Sequence, residues 1–256
     1  MDRKNKTICI TGASAGIGEA CAELFAENGY DLVLVARRKE RLDKLKSKLE
    51  STHGTNIHVV ELDVRDQKEV HQKLTNLPDG FSKVDILINN AGLAAGRNSI
   101  QEGSIDDWDR MIDTNVKGLL YVSRAIIPDM VSRNDGHIIN IGSIAGKETY
   151  LNGNVYCASK HAVDSLTKAM REDLLPHNIK VTGICPGLAE TEFSMVRYEG
   201  DAEKAKAVYD NMVPLLGKDI AEIILFAVGR PAHVCLNDVV VTPTCQANSF
   251  YVHREE

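Results

Sequence analysis

Long apolar runs are absent from the sequence. None approaches the roughly 20 residues that a membrane-spanning helix needs, so we expect no membrane segment. The first six residues, MDRKNK, are polar, and Gly12 and Gly16 interrupt the apolar stretch that follows, which predicts that no secretory leader is present. Basic residues are also not in excess: 30 Lys and Arg against 36 Asp and Glu give a net charge of −6. We therefore expect no nucleic-acid partner and no anionic membrane partner.

Closely spaced cysteines are missing too. The six cysteines stand at positions 9, 21, 157, 185, 235 and 245, and none forms a CxxC pair or a short Cys/His spacing. The sequence therefore predicts no disulfide framework and no metal site. It predicts buried thiols in a reducing cytoplasm.

The composition, 43% hydrophobic and 26% charged, excludes the disordered, collagen-like and coiled-coil classes. A length of 256 residues is routine for a single α/β domain, and the chain has no linker, internal repeat or low-complexity stretch. We therefore predict one domain over residues 1–256.

Seven short apolar segments rich in β-branched residues alternate with segments of helical length. The seven are residues 6–11, 31–36, 56–63, 84–89, 137–141, 180–185 and 238–242. Between the second and third, residues 38–51 carry Leu42, Leu45 and Leu49 at helical spacing. This alternation predicts an α/β fold with a doubly wound, Rossmann-type parallel sheet of about seven strands and helices on both faces. Residues from about 188 to 212 are polar and break the rhythm, which predicts an inserted substrate loop or lid.

A glycine-rich turn, TGASAGIG at residues 11–18, joins the first strand to a helix. Glycines allow a tight turn and a close approach to a pyrophosphate, whose charge suits the helix N-terminus. The spacing of Gly12, Gly16 and Gly18 is GxxxGxG rather than the commoner GxGxxG. The position of the turn, after a strand and before a helix, predicts nucleotide binding.

The second strand ends in Ala36-Arg37-Arg38, where an NAD-binding site of this layout places an acidic residue. Guanidinium groups suit a phosphate, so Arg37 and Arg38 favour NADP over NAD. The alternative is that both arginines only begin a solvated helix, although basic charge at a helix N-terminus is unfavourable.

Further along the chain come Asn90-Ala91-Gly92, Asn115, Ser143, Tyr156 and Lys160. Tyr156 and Lys160 are four residues apart, so they share one face of a helix. Each residue alone has a structural explanation, such as a turn or a cap, but their occurrence together and in this order is not expected by chance.

This set of motifs resembles the short-chain dehydrogenase/reductase family over essentially the whole chain. The resemblance is carried by TGASAGIG at 11–18, LDV at 62–64, NNAG at 89–92, Asn115, Ser143, Tyr156, Lys160 and Pro186-Gly187. Within the family, the chain is similar to the NADP-dependent 3-hydroxy acid dehydrogenases. That similarity is carried by ARR at 36–38, MIDTNVKGL at 111–119, HIINIGS at 137–143, TEFSMVRYEGD at 191–201 and the ending NSFYVHRE.

The resemblance implies roles for individual residues. It makes Tyr156 the general acid/base and has Ser143 hold the substrate oxygen. Lys160 binds the nicotinamide ribose, and Asn115 anchors a water in a proton relay. The implied cofactor contacts are Gly12, Ser14, Gly16, Ile17, Gly18, Arg37, Arg38, Asp63, Val64, Asn90, Ala91, Gly92, Tyr156, Lys160, Pro186, Gly187 and Thr191.

A tyrosine with a pKa near 10 is a poor base at pH 7, and one ammonium group at 4 Å in bulk water contributes only about 1 kcal/mol toward the phenolate. The site must therefore exclude water, or the charge of the oxidised nicotinamide must assist.

The implied reaction is hydride transfer between NADP(H) and a small 3-hydroxy acid such as L-serine, L-allo-threonine or 3-hydroxypropionate, with malonic semialdehyde in the reductive direction. Two alternatives stay open: a broad-specificity NADPH-dependent carbonyl or diketone reductase, and a non-catalytic NADP-binding protein. Non-enzymes of this kind usually lack the Tyr or the Lys, and here Tyr156 and Lys160 are both present.

A substrate carboxylate needs a local cation in a protein of net negative charge. Arg197, in the insertion, is the candidate substrate-binding residue, together with Ser143 and Tyr156; the alternative is a surface arginine paired with Glu192 or Glu199. Lys147 and Arg254 are weaker candidates.

The family resemblance also implies a homotetramer. The helix at about residues 155–175 carries a stripe of small residues that could pack on a symmetry mate or face the core, formed by Ala158, Ala162, Leu166 and Ala169.

Overall fold

Short apolar strands and amphipathic helices alternate along the chain in the computed structural model, which describes residues 6–255. Residues 1–5, the polar start that argued against a leader, and residue 256 lie outside the described part. The strands are β1 (Thr7–Thr11), β2 (Asp31–Ala36), β3 (Ile57–Glu61), β4 (Ile86–Asn89), β5 (Gly136–Ile141), β6 (Ile179–Pro186), β7 (Ala189–Glu190), β8 (Leu215–Leu216) and β9 (Asp238–Val241). The helices are α1 (Gly16–Glu27), α2 (Lys39–His53), α3 (Gln67–Leu74), α4 (Ile105–Ile112), α5 (Leu119–Arg133), α6 (Asn154–Leu174), α7 (Glu192–Arg197), α8 (Ala202–Ala207) and α9 (Gly217–Val228).

Seven of the strands form one sheet in the order β3-β2-β1-β4-β5-β6-β9, and every pairing in it is parallel. The predicted α/β fold with a doubly wound parallel sheet of seven strands is therefore confirmed. Two predicted boundaries were wrong. β3 ends at Glu61 rather than Asp63, because the carboxylate of Asp63 accepts from the backbone of Arg65 in a turn. β4 begins at Ile86 rather than at Val84, and the preceding Asp85 is tied to β1 because its side chain accepts from the backbone of Thr7.

Helices cover both faces of the sheet because successive strand residues point to opposite sides. Ile8 and Ile10 pack with buried residues of α1, α2 and α9, whereas Cys9 between them packs with residues of α3, α5 and α6. The leucines expected on one face of α2, Leu42, Leu45 and Leu49, are all buried.

The order of the strands reverses between β1 and β4, and the crevice at this point opens at the carboxyl ends of the strands. The inserted segment predicted at about 188–212 is ordered. It consists of α7 and α8, flanked by β7 and β8, which pair in parallel as a separate two-stranded sheet.

No helix within residues 6–255 is both long and apolar enough to cross a membrane. All six cysteines are unpaired, four of them buried and two half-buried. The stripe of small residues on α6 does not face the core: Ala158 and Ala169 are exposed, and Ala162 and Leu166 are half-buried. The alternative that this stripe is an internal packing face was therefore wrong.

Candidate active site

A cleft of about 440 Å³ opens above the carboxyl ends of the central strands. Almost every site residue expected from the sequence lines it, including the glycine turn, the two arginines after β2, and the serine, tyrosine and lysine. Gly18 and Asn115 are the exceptions, since they lie behind the cleft wall. The insertion also contributes to the lining through residues of α7.

The glycine turn needs glycine at each of its three positions. Gly12 and Gly16 have φ of +68° and +58°, a region that favours glycine. A Cβ on Gly18 would lie 2.4 Å from the carbonyl oxygen of Gly12. The turn is also tied to the neighbouring strand, because the Asn90 side chain donates to the carbonyl oxygen of Thr11 at 2.9 Å. Without side chains to block it, this rigid cradle fits the phosphates of a dinucleotide.

Beside the turn, three arginines form a basic cluster. Arg38 donates through Nε to the hydroxyl of Ser14, at 3.1 Å, which links the cluster to the glycine turn. Arg37 is exposed, and no hydrogen bond or ion pair to any residue in 6–255 involves its side chain. Arg41, which the sequence analysis missed, shares the carboxylate of Glu192 with Arg38. The cluster fits the phosphate that distinguishes NADP from NAD.

Asp63 and Val64 follow the end of β3 and lie on the cleft wall. The Asp63 carboxylate pairs with Arg65 at 2.6 Å, and the hydrogen bond from Arg65 holds its pKa below the ordinary value. Val64 is buried, and its side chain packs close to Gly118. Ile17 and Ala91 complete this part of the lining.

Asn115 lies in a π-helix, Asp113–Gly118, between α4 and α5. Its side-chain amide donates to the carbonyl oxygen of Leu93 and to the hydroxyl of Ser159, and its Oδ1 accepts from the backbone of Leu93. π-helical turns are rare and frequently occur at functional sites. Asn115 thus fixes the loop after β4 behind the cleft, and its role in a proton relay stays a prediction.

Ser143, Tyr156 and Lys160 meet at the end of β5. Ser143 caps the 3₁₀-turn Ile144–Gly146, where its hydroxyl accepts from the backbone of Ala145 and donates to the carbonyl oxygen of Pro186 at 3.4 Å. Lys160 donates to the carbonyl oxygen of Ile141 at 2.9 Å, so its ammonium group is held under the same strand end. Gly92 lies against this group, since a Cβ there would be 3.6 Å from Lys160 Nζ and 3.2 Å from Asn115 Oδ1.

Burial dominates the electrostatics of the pair on α6. Desolvation raises the pKa of Tyr156 far above its ordinary value, and neighbouring Tyr150 adds to this, while the nearby hydroxyl of Ser143 acts in the opposite direction. Desolvation lowers the pKa of Lys160 to about 8. Tyr156 and Lys160 are both buried, and the direct effect of this burial is to favour the neutral phenol.

Arg197 reaches back from the end of α7 over the tyrosines. Its guanidinium carbon lies 5.6 Å from the ring centroid of Tyr156 and 5.5 Å from that of Tyr150, and its Nη1 donates to the Tyr150 hydroxyl at 3.0 Å. No ion pair to Glu192 or Glu199 is present within residues 6–255, so the alternative of a surface ion pair was wrong. The Nε of Arg197 is buried and finds no hydrogen-bond partner in the same residues.

The far end of the cleft is braced by residues distant in sequence. Pro186 and Gly187 line it at the end of β6, and Gln246 accepts from the backbone of Leu188 at 2.8 Å. A Cβ on Gly187 would lie 2.2 Å from the side-chain oxygen Oε1 of Gln246. Thr191 caps α7 and packs against Gly16. Gln246 and Tyr150 carried no motif in the sequence that could have identified them.

The two weaker candidates for a substrate cation are occupied elsewhere. Lys147 is shared between Asp164 and Asp238 at 2.5 Å each. Arg254 donates to the carbonyl oxygens of Val208 and Asp210, so it ties the C-terminal segment to the insertion. Neither side chain lines the cleft.

Comparisons with known proteins agree with this geometry. The family described as short chain dehydrogenase matches residues 6–202. An NADP-dependent 3-hydroxy acid dehydrogenase of Schizosaccharomyces pombe is 43% identical over 252 residues, which are 98% of this chain and 97% of that protein. Sulfoacetaldehyde reductase 2 of Chromohalobacter salexigens is 42% identical over 250 residues, 97% of this chain and 98% of that protein.

A solved structure, the closed form of a serine dehydrogenase complexed with NADP+, superposes with a TM-score of 0.92 at 43% identity, over 97% of this chain and 100% of that one. The fold, the arrangement of the cleft and these matches lead to one conclusion. The chain belongs to the short-chain dehydrogenase family and is an oxidoreductase.

Proposed function

We propose that the protein is a one-domain NADP-dependent enzyme that interconverts a small 3-hydroxy acid and its carbonyl form. L-Serine, L-allo-threonine and 3-hydroxypropionate are the proposed hydroxy acids, and malonic semialdehyde is the carbonyl partner of the last. The observation that carries the substrate class is the guanidinium of Arg197, which lies 5.6 Å from the ring of Tyr156 and has a buried Nε without a hydrogen-bond partner among residues 6–255.

The protein residues position the substrate and carry the proton. When bound, NADP(H) supplies the acceptor or donor of the hydride. Ser143 and Tyr156 hold the substrate oxygen. Because burial keeps Tyr156 in its neutral form, the phenol is ready to donate its proton to the carbonyl oxygen during reduction. Oxidation requires the phenolate form of Tyr156, whose oxygen takes the hydroxyl proton and becomes the phenol again. The ammonium group of Lys160 on the next helical turn favours that phenolate form.

Arg197 is proposed to bind the substrate carboxylate. Tyr150 engages Nη1, which leaves the Nε edge of the guanidinium for a two-point contact with a carboxylate. A buried donor without a partner is costly, so a ligand that satisfies it gains affinity. The net charge of −6 makes such a local cation necessary for an anionic substrate.

The named activities of the relatives support the same substrate class. Malonic semialdehyde and sulfoacetaldehyde both carry an anionic group one CH₂ away from the aldehyde carbon. One guanidinium at a fixed distance from Tyr156 therefore suits both molecules.

The test compares Arg197→Ala with Arg230→Ala. Arg230 is the matched control, because it also stacks on an aromatic ring, that of Phe226 at 3.9 Å, but lies outside the cleft. We expect Arg197→Ala to raise KM for L-serine, 3-hydroxypropionate and malonic semialdehyde about 10- to 150-fold, the range for one charge-assisted hydrogen bond. KM for an uncharged diketone should change by less than about threefold.

If KM rises equally for charged and uncharged substrates, Arg197 has a structural role in the insertion. A wild-type enzyme that prefers the uncharged diketone would instead favour the broad-specificity carbonyl reductase. The absence of NADPH oxidation with every carbonyl compound would favour a non-catalytic NADP-binding protein.

We further propose a homotetramer in the cytoplasm. The exposed side chains of Ala158 and Ala169 on the outer face of α6 support close packing of a second copy. The six unpaired cysteines are typical of a reducing compartment.

A further inference from the structure

The first residue of α7 places a carboxylate in the basic cluster beside the glycine turn. Glu192 accepts from Arg38 Nη1 at 2.7 Å and from Arg41 Nη1 at 2.6 Å. The contact with Arg38 spans 154 positions in the sequence. Hydrogen bonds from Arg41 and Arg38 hold the pKa of Glu192 below its ordinary value, so it is ionised at neutral pH.

Arg37 and Arg38 line the cleft where a phosphate on the adenosine ribose is expected, and Arg41 is joined to Arg38 through Glu192. Arg38 is anchored to Ser14 of the glycine turn through Nε, and its Nη1 is taken by Glu192. Arg37, next to it, is exposed. One carboxylate therefore offsets one of three guanidinium charges, and it does so at the point where an incoming phosphate needs them.

We propose that Glu192 is a specificity-determining residue for the cofactor: its carboxylate competes with the ribose 2′-phosphate for Arg38 and Arg41. The competition weakens the binding of 2′-phosphorylated adenine nucleotides and leaves that of unphosphorylated ones unchanged. Glu192 thus sets how strongly the enzyme prefers NADP over NAD. This proposal rests on the assignment of the 2′-phosphate to the arginine cluster.

The size of the effect follows from exposure. The side chains of Arg38, Arg41 and Glu192 are 44%, 49% and 44% exposed, so solvent screens both ion pairs. Removal of the carboxylate should therefore tighten binding of a 2′-phosphate about 3- to 30-fold, the range for two half-exposed ion pairs. The gain should shrink as salt is added.

The test measures dissociation constants of 2′,5′-ADP and 5′-AMP by titration calorimetry, since these fragments differ by the 2′-phosphate and need no turnover. Glu192→Gln removes the charge and keeps the shape. Glu190→Gln is the matched control, because it removes an exposed carboxylate two residues away that does not contact the arginines. Glu192→Asp keeps the charge and serves as a second variant.

We expect Glu192→Gln to bind 2′,5′-ADP about 3- to 30-fold more tightly and 5′-AMP with unchanged affinity. Glu190→Gln should change neither constant, and Glu192→Asp should gain less than Glu192→Gln. Unchanged or weaker binding of 2′,5′-ADP by Glu192→Gln would overturn the proposal; weaker binding would mean that Glu192 orients the arginines for the phosphate.

The double variant Arg37→Ala/Arg38→Ala separates this failure from a failure of the phosphate assignment. The double variant should weaken the binding of 2′,5′-ADP much more than the binding of 5′-AMP. Equal losses for both nucleotides would overturn the assignment, and with it the proposal for Glu192. If the double variant selectively loses affinity for 2′,5′-ADP but Glu192→Gln does not gain affinity for it, only the proposal for Glu192 is overturned.

Discussion

Replacement of the buried Lys160 by Met should change how the stability of the protein depends on pH. Lys160 is 7% exposed, and desolvation lowers its pKa to about 8 from an ordinary value of 10.5. At about 1.4 kcal/mol for each pKa unit, burial of the charged form costs the wild type about 3 kcal/mol near pH 7.

The sign of the effect is determined by which state binds the proton. Below pH 8 both states carry it, so the folded wild type bears the full cost. Between pH 8 and 10.5 the folded state has lost the proton and the unfolded state has kept it, so stability rises with pH. Lys160→Met has no such group. The unfolding free energy of the wild type should therefore gain about 3 kcal/mol relative to the variant from pH 7 to 10.5.

Urea unfolding of both proteins over this pH range measures the difference, and titrations common to both cancel. Lys168→Met is the control for loss of a lysine from the same helix, because the side chain of Lys168 is 58% exposed. If the difference in unfolding free energy between wild type and Lys160→Met stays constant within about 1 kcal/mol from pH 7 to 10.5, the argument that burial of this ammonium group is costly is refuted.

Two further predictions concern the proton carrier and the assembly. Tyr156→Phe should lower kcat at least about 100-fold, because the proton carrier is lost. The Kd of NADPH, measured by fluorescence, should change less than about threefold because the ring stays. A variant that keeps more than about a tenth of kcat would show that Tyr156 is not the proton carrier. Light scattering at micromolar concentration should give four times the chain mass, and Ala162→Glu on the outer face of α6 should reduce it; a wild-type mass of 28.1 kDa would refute the tetramer.

Local patterns in the sequence were enough to predict the fold. Apolar runs such as residues 31–36 and the leucine spacing of α2 report directly on burial, because strand and helix periodicities act over only a few residues. The ends of strands were less well predicted. β3 stops at Glu61 because Asp63 accepts bonds within its own turn, and such turn chemistry competes with the pattern of apolar residues.

The sequence also identified many of the groups that line the cleft, because in a parallel sheet the residues that follow successive strands meet at one edge. Pro186 ends a strand, and Ser14, Arg38 and Ser143 lie within three residues after one. The order of the motifs along the chain was therefore enough to predict that these residues lie close together.

Only the tertiary structure decided how the insertion meets that edge. The pairing of Glu192 with Arg38 and Arg41, and the placement of Arg197 between Tyr150 and Tyr156, join segments that no local periodicity relates. The pKa of Tyr156 is likewise set by burial among groups from several elements. These contacts depend on how the insertion packs against residues distant in the sequence. Local sequence patterns do not show such packing, because it forms only when the whole chain has folded.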